Sequence, residues 1–163
     1  MIRNVLKRLL SLFLCVLMLC TLLPTTVFAT DLEGYGVAGL SASYDNSGWS
    51  AYPGTIEGEV KTDGCTSSAS TTLTLTNKKE NKAALSFYYT PTATGSASVK
   101  IGGTVYTKAG HYSETIEAGG TLSITLSCGA ENASAAIKIE NISLIIDAIA
   151  TVTFIPSQNG SYT

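Results

Sequence analysis

The stretch Thr121-Leu-Ser-Ile-Thr-Leu-Ser127 decides the fold class, because apolar and hydroxyl side chains alternate along it with a period of two. Such alternation places the leucines and the isoleucine on one face of a β-strand and the hydroxyls on the other. The same period runs through 70–76, 83–90 and 135–139. No later stretch keeps a helical period, so the sequence predicts an all-β domain.

The residues between these runs predict turns. Gly102-Gly103 is typical of a two-residue hairpin, because a type I′ turn needs positive φ at both central residues. Two further turns are expected at 77–82 and 118–120, and Pro91 is expected to close the strand before it. The inward-facing positions change from odd to even numbers at Glu140-Asn141, which predicts a β-bulge there.

The spacing of the strands indicates one sandwich. Strands recur about every 8 to 12 residues, beginning near Val37 and Thr55. We expect an antiparallel β-sandwich of about eight strands over residues 30–147, of jelly-roll or immunoglobulin-like type. Residues 148–163 are interpreted as a linker and the first strand of a truncated repeat module. Thr151–Thr163 is expected to stay outside the sandwich core, since a lone strand cannot bury a face by itself.

Residues 1–29 have the pattern of a secretory signal peptide. Arg3, Lys7 and Arg8 precede the apolar run Leu9–Leu23, and Val27-Phe-Ala29 places small residues before a cleavage point. An uncleaved anchor helix is the alternative, but the run is shorter than the roughly 20 residues that span a bilayer. We therefore predict cleavage after Ala29, an extracellular chain and no membrane span in its mature part.

The charge balance excludes some classes of partner. Cleavage leaves seven lysines, no arginine and twelve acidic residues, and hence a net charge of −5. Nucleic acids and anionic membrane surfaces are bound by clusters of basic residues. We expect neither as a partner.

Two cysteines, Cys65 and Cys128, follow the leader. An even number of cysteines in an exported chain permits a disulfide, and each of these lies at the edge of a predicted strand. A bridge requires Cα atoms within roughly 7 Å, and it would add roughly 4 kcal/mol in the chain-entropy view. The alternative, two free thiols, stays open.

The residues that catalysis requires are few, so we expect no enzymatic activity. His111 is the single histidine and is expected in a surface loop. The sequence contains no nucleophile elbow, zinc-ligand spacing or phosphate-binding loop. Glycosidases use two carboxylates, but the pairs Glu57/Glu59 and Glu114/Glu117 are interpreted as solvated outer-face residues.

Aromatic residues near the N-terminal end favour an alternative interpretation, a carbohydrate-binding module. Exposed rings can stack on sugar faces while nearby polar groups hydrogen-bond the hydroxyls. The candidate ligand-binding residues are Tyr44, Asp45, Asn46, Trp49 and Tyr52. In the competing interpretation Trp49 caps the end of the core, and burial of its ring would remove the main support for this site.

A structural calcium ion is the one cofactor that the composition suggests. Calcium takes oxygen ligands, which Asp31, Glu33, Asp45, Asn46 and Asp147 could supply. Their spacing matches no calcium-binding motif, so we predict no cofactor and no metal site.

Residues 70–144 resemble a β-sandwich module of exported multi-domain proteins from gram-positive gut bacteria. The residues that carry the resemblance are Thr72–Asn77, Ala84–Tyr89, Val99–Gly103, Glu117–Leu122 and Ile137–Leu144. Thr151–Thr163 resembles the opening of repeat modules related to the internalin B-repeat, which occur in tandem in surface proteins. The resemblance implies a non-catalytic structural or adhesive module of a larger cell-surface protein, with surface glycans or neighbouring modules as partners.

Overall fold

The computed structural model describes residues 28–32, 36–45, 48–66 and 68–146, and these contain eleven β-strands. The strands are β1 Phe28–Asp31, β2 Leu40–Tyr44, β3 Trp49–Tyr52, β4 Thr55–Lys61, β5 Ala69–Asn77, β6 Ala83–Thr94, β7 Ala97–Ile101, β8 Thr104–Val105, β9 Gly110–Ile116, β10 Thr121–Cys128 and β11 Ser134–Ile146. In this part of the chain, no helix is long and apolar enough to cross a membrane.

The strands form two antiparallel sheets. Sheet A has the order β1-β2-β5-β10-β7-β8, and sheet B has the order β3-β4-β11-β6-β9. A single apolar core lies between them and takes side chains from both inner faces. The predicted all-β antiparallel sandwich is confirmed.

The connections between strands distinguish the two predicted topologies. Each step from β4 to β5, β6 and β7 passes to the other sheet, as does each step from β8 to β9, β10 and β11. The immunoglobulin order keeps consecutive strands such as D–E and F–G in one sheet. The repeated crossing seen here is instead that of a jelly roll.

The structure has eleven strands and not the eight expected. The three additional strands, β1, β3 and β8, are short, with four, four and two residues. Strands of that length are too short to show a period-two pattern. β1 begins at Phe28, two residues before the predicted cleavage point. Cleavage after Ala29 stays a prediction, and the linker and repeat strand placed at 148–163 lie outside the described residues.

The central strands have the alternation that the sequence predicts. Along β10, every second side chain from Leu122 to Cys128 is buried, and the intervening hydroxyls face outward. Strands β5, β6 and β11 behave in the same way. The largest fully buried side chains are Phe87, Leu32, Leu40, Ile56, Leu73, Leu75, Leu85, Ile101, Ile124, Leu126, Ile139 and Val99.

Two predicted irregularities are confirmed. Gly102 and Gly103 have φ values of +56° and +86°, and they join β7 to β8 with Ile101 paired to Thr104. The register between β11 and β6 shifts between Glu140 and Ser143, and Asn141 has a φ of +54°. The turn and the bulge therefore lie where the sequence indicates.

The prediction that Pro91 closes a strand is wrong, because β6 continues through it to Thr94. Strand β9 pairs with β6 only as far as Tyr89, so β6 is an edge strand on that side at Pro91. An edge tolerates the missing N–H of proline, since that side has no ladder hydrogen bond to lose.

Candidate binding face on sheet B

Trp49 is a core residue and not an exposed stacking ring, which corrects the predicted role. Only 4% of its surface is exposed, and its indole Nε1 donates to Thr71 Oγ1 at 2.8 Å. Thr71 Oγ1 in turn donates to Asp45 Oδ1 at 2.8 Å. The ring lies over Gly58, where a Cβ would come within 2.4 Å of it. The competing interpretation, a tryptophan that completes the core, is the one the structure supports.

The other predicted ligand-binding residues do not form one site. Tyr44 is half-buried against the core, and Asp45 uses its carboxylate to accept from Thr71 and from the backbone N–H of Thr72. Both line a small hollow of about 140 Å³. Tyr52 is 53% exposed, because alternation along β3 turns it away from the inward Trp49. Asn46 lies outside the described residues.

The predicted disulfide is absent, since both thiols are free. Cys128 ends β10 with its side chain in the core, and its Sγ lies 3.5 Å from the carbonyl oxygen of Val60. Cys65 is exposed in a turn, where its N–H donates to Asp63 Oδ1. The two side chains therefore occupy different environments, one inside the sandwich and one outside it.

The few candidate catalytic residues are all exposed at the surface. His111 lies on strand β9 and not in the expected loop, with its ring centroid 4.9 Å from that of Tyr88. Glu114 accepts a hydrogen bond from the Tyr112 hydroxyl. Glu57 lies with Glu59 on the solvent-facing side of β4, as predicted.

The outer face of sheet B contains a shallow cleft of about 530 Å³. Ser50, Glu57, Lys138 and Thr90 follow one another across β3, β4, β11 and β6 and form the first row of this cleft. The parallel row is Glu59, Ala136 and Thr92. The short side chains between the charged ones leave open space, and their hydroxyls supply hydrogen-bonding groups to it.

Exposed rings lie in the row beside the cleft, which we call the aromatic row: Tyr52, Tyr88 and His111. Tyr52 pairs with Thr55, and Tyr88 pairs with Glu140 on one side and His111 on the other. Tyr88 is 55% exposed. Three strand spacings separate the two tyrosines, or about 14 Å. The rings therefore border one end of the cleft.

Two ion pairs flank the cleft. Lys61 Nζ lies 2.7 Å from Glu59 Oε1, and Lys138 Nζ lies 2.7 Å from Glu140 Oε1. The hydrogen bond that Lys138 donates to Glu140 raises the pKa of Lys138, and the charges of Glu140 and Glu57 raise it further. Lys138 therefore remains an ammonium at neutral pH.

The described residues show no group of three histidine, cysteine, aspartate or glutamate side chains that could hold a metal ion. Of the calcium candidates, Glu33, Asn46 and Asp147 lie outside the described residues. The side chain of Asp31 does as well. Asp45 already accepts the two hydrogen bonds described above.

Sequence reasoning did not identify the cleft. Glu57, Glu59, Thr90 and Thr92 show their outward alternation in the sequence, but the cleft exists only because β11 pairs between β4 and β6. That arrangement joins strands far apart in the chain.

A scan against protein-family models found no match, and no curated protein matched the chain.

Proposed function

We propose that this chain is a non-catalytic, extracellular adhesive module of a larger surface protein, and that it binds through the outer face of sheet B. The observation that carries the proposal is the open cleft of about 530 Å³ on that face. Its lining of short hydroxyl side chains and scattered charges suits a polar ligand held by many weak contacts.

The scaffold behind the cleft supports this role. The residues that alternate with the lining side chains, Ile56, Ala135 and Ile139, are buried in the core. Every buried polar side-chain atom in the described part of the chain has a hydrogen-bond partner. A sheet that is backed by a packed apolar core holds surface groups in fixed positions, which reduces the entropy lost on binding.

Adhesion through the cleft predicts that a bulky side chain placed in it weakens binding. The mature secreted chain would be assayed for retention on immobilised mucin, polysaccharides and matrix proteins. Ala136→Tyr places a large side chain in the cleft, and we expect retention to fall about tenfold, the loss that corresponds to 1.4 kcal/mol. Ser123→Tyr, on the outer face of sheet A, is the matched control and should bind as the native chain does.

Equal retention of the two variants would contradict the proposed binding face. Turnover in a panel of hydrolase substrates that disappears on Glu57→Gln or Glu114→Gln would contradict the non-catalytic assignment. The N-terminal residue of the protein recovered from culture medium tests export, and we expect it to be Thr30.

Carbohydrate binding is the second candidate, now supported by the aromatic row and not by Trp49. Tyr52 and Tyr88 present exposed rings next to the hydroxyls and carboxylates of the cleft, the combination that sugar recognition requires. On a glycan array, Tyr88→Ala and Tyr52→Ala should each weaken binding. Val105→Ala, which removes an exposed apolar side chain on sheet A, should not. Undiminished glycan binding by both tyrosine variants would refute this candidate.

A further inference from the structure

We propose that Glu57 is the specificity-determining acceptor of the cleft, and that it selects glycans bearing neutral hydroxyls or free amines over acidic glycans. This inference rests on the proposed carbohydrate binding. It adds the charge class of the ligand and the residue that sets it.

Of the three carboxylates around the cleft, Glu57 is the one that belongs to neither ion pair and can accept hydrogen bonds from a ligand. Lys61 is paired with Glu59, and Lys138 is paired with Glu140, each at 2.7 Å. Glu57 lies between these pairs on β4, with Ser50 and Lys138 as its cross-strand neighbours. Within the described residues, its carboxylate makes no hydrogen bond and no ion pair as close as these two, although its charge acts on Lys138.

An ionised carboxylate at this position limits which ligand groups can bind there. Its oxygens accept hydrogen bonds and donate none, so a ligand must supply O–H or N–H groups at this position. The two lysines and the three glutamates named above sum to one net negative charge, which is that of Glu57 at the centre of the cleft. A ligand carboxylate or sulfate there would face a like charge and lose its hydration without compensation, whereas an ammonium would form a charge-assisted hydrogen bond.

Neighbouring groups fit the same ligand. The hydroxyls of Ser50 and Thr90 belong to the same row as Glu57 and can both donate and accept. The exposed Tyr88 ring lies one row away, within reach of the apolar face of a pyranose bound across the strands. Tyr88 lies two strands from Glu57, or about 10 Å, so successive units of one oligosaccharide can contact the carboxylate, a hydroxyl and the ring.

The test measures binding of the mature chain to three probes: chitosan oligosaccharides, cellohexaose and polygalacturonate. We expect affinity to decrease in that order at low salt. Glu57→Gln keeps the size of the side chain and removes its charge, and it should weaken chitosan binding about tenfold, as expected for one charge-assisted hydrogen bond. Glu57→Lys should reverse the order of chitosan and polygalacturonate. Glu131→Gln, an exposed glutamate outside the cleft, should leave all three affinities unchanged.

The outcomes separate this inference from the proposed carbohydrate binding. A native chain that binds none of the glycans on a broad array overturns both. A native chain that binds glycans with the same affinity and order as Glu57→Gln and Glu57→Lys overturns the role of Glu57 alone. Preferred binding of polygalacturonate by the native chain also overturns it.

Discussion

Buried polar side chains tie distant parts of the sandwich together. Asn77 Nδ2 donates to the carbonyl oxygens of Asn81, Ile116 and Glu117, which joins two turns at one end of the sandwich. At the other end, Thr62 Oγ1 accepts from the N–H of Ala133 and donates to the carbonyl of Ala130. Asn77 keeps the inward phase of Leu73 and Leu75, and Thr62 keeps that of Ile56. Their hydrogen-bond partners lie in turns and loops distant in the chain, so these partners could not be predicted from the sequence.

Thr71→Val should destabilise the protein by about 1–3 kcal/mol, because it leaves the buried indole N–H of Trp49 without an acceptor. Thr74→Val on the outward side of the same strand is the control and should change stability by less than about 0.5 kcal/mol. Chemical denaturation followed by the fluorescence of the single tryptophan measures both. Equal stability of the two variants would show that the Trp49–Thr71 hydrogen bond contributes nothing.

At the scale of the element, local patterns were sufficient where structure is set by neighbours in sequence. The period-two runs are strands, the Gly102-Gly103 pair forms a turn, and the phase change at Glu140-Asn141 is a bulge. Pro91 and the cleft were missed, because both depend on which strand lies alongside. The sequence left open whether Trp49 faces the core or solvent, because β3 is too short for its inward phase to be read.

The turn between β7 and β8 allows a test of backbone strain without crowding. Gly103 has a φ of +86°, and a Cβ added there would meet no atom within 4 Å. Gly103→Ala should therefore cost about 1–2 kcal/mol through the left-handed backbone alone. Gly64→Ala, at a glycine without a positive φ and with its nearest neighbour at 4.0 Å, is the control and should be neutral or slightly stabilising. Matching melting temperatures for the two variants would argue against the type I′ turn.

At the scale of the whole molecule, a cluster of aromatic rings covers the side of the sandwich where the edge strands β8 and β9 lie. The ring centroids of Tyr89 and Tyr106 lie 4.9 Å apart, and those of Phe87 and Tyr112 lie 5.2 Å apart. Burial raises the pKa of Tyr89, and burial together with the hydrogen bond to Glu114 raises the pKa of Tyr112. These hydroxyls therefore hold their protons more tightly in the folded protein than in the unfolded chain.

The sign of the resulting pH dependence follows from those directions. Unfolded tyrosines ionise near a pKa of about 10, so the free energy of unfolding is unaffected by these groups below that pH and decreases above it. Denaturation at pH 8 and pH 11 should show a smaller decrease for Tyr112→Phe than for the native chain. Tyr88→Phe, at an exposed ring, should follow the native chain. An equal decrease for all three proteins would contradict the role of Tyr112.

The repeated crossing of the chain between sheets has a consequence for folding kinetics. Strand β11 lies between β4 and β6, so Lys138 pairs with Glu57 across most of the described chain. Only the β1–β2, β3–β4 and β7–β8 neighbours can pair early from local sequence. High contact order slows folding, and we expect refolding in milliseconds to seconds. During synthesis, sheet B would stay open until β11 had emerged from the ribosome, and the chain would remain exposed to proteases until that moment.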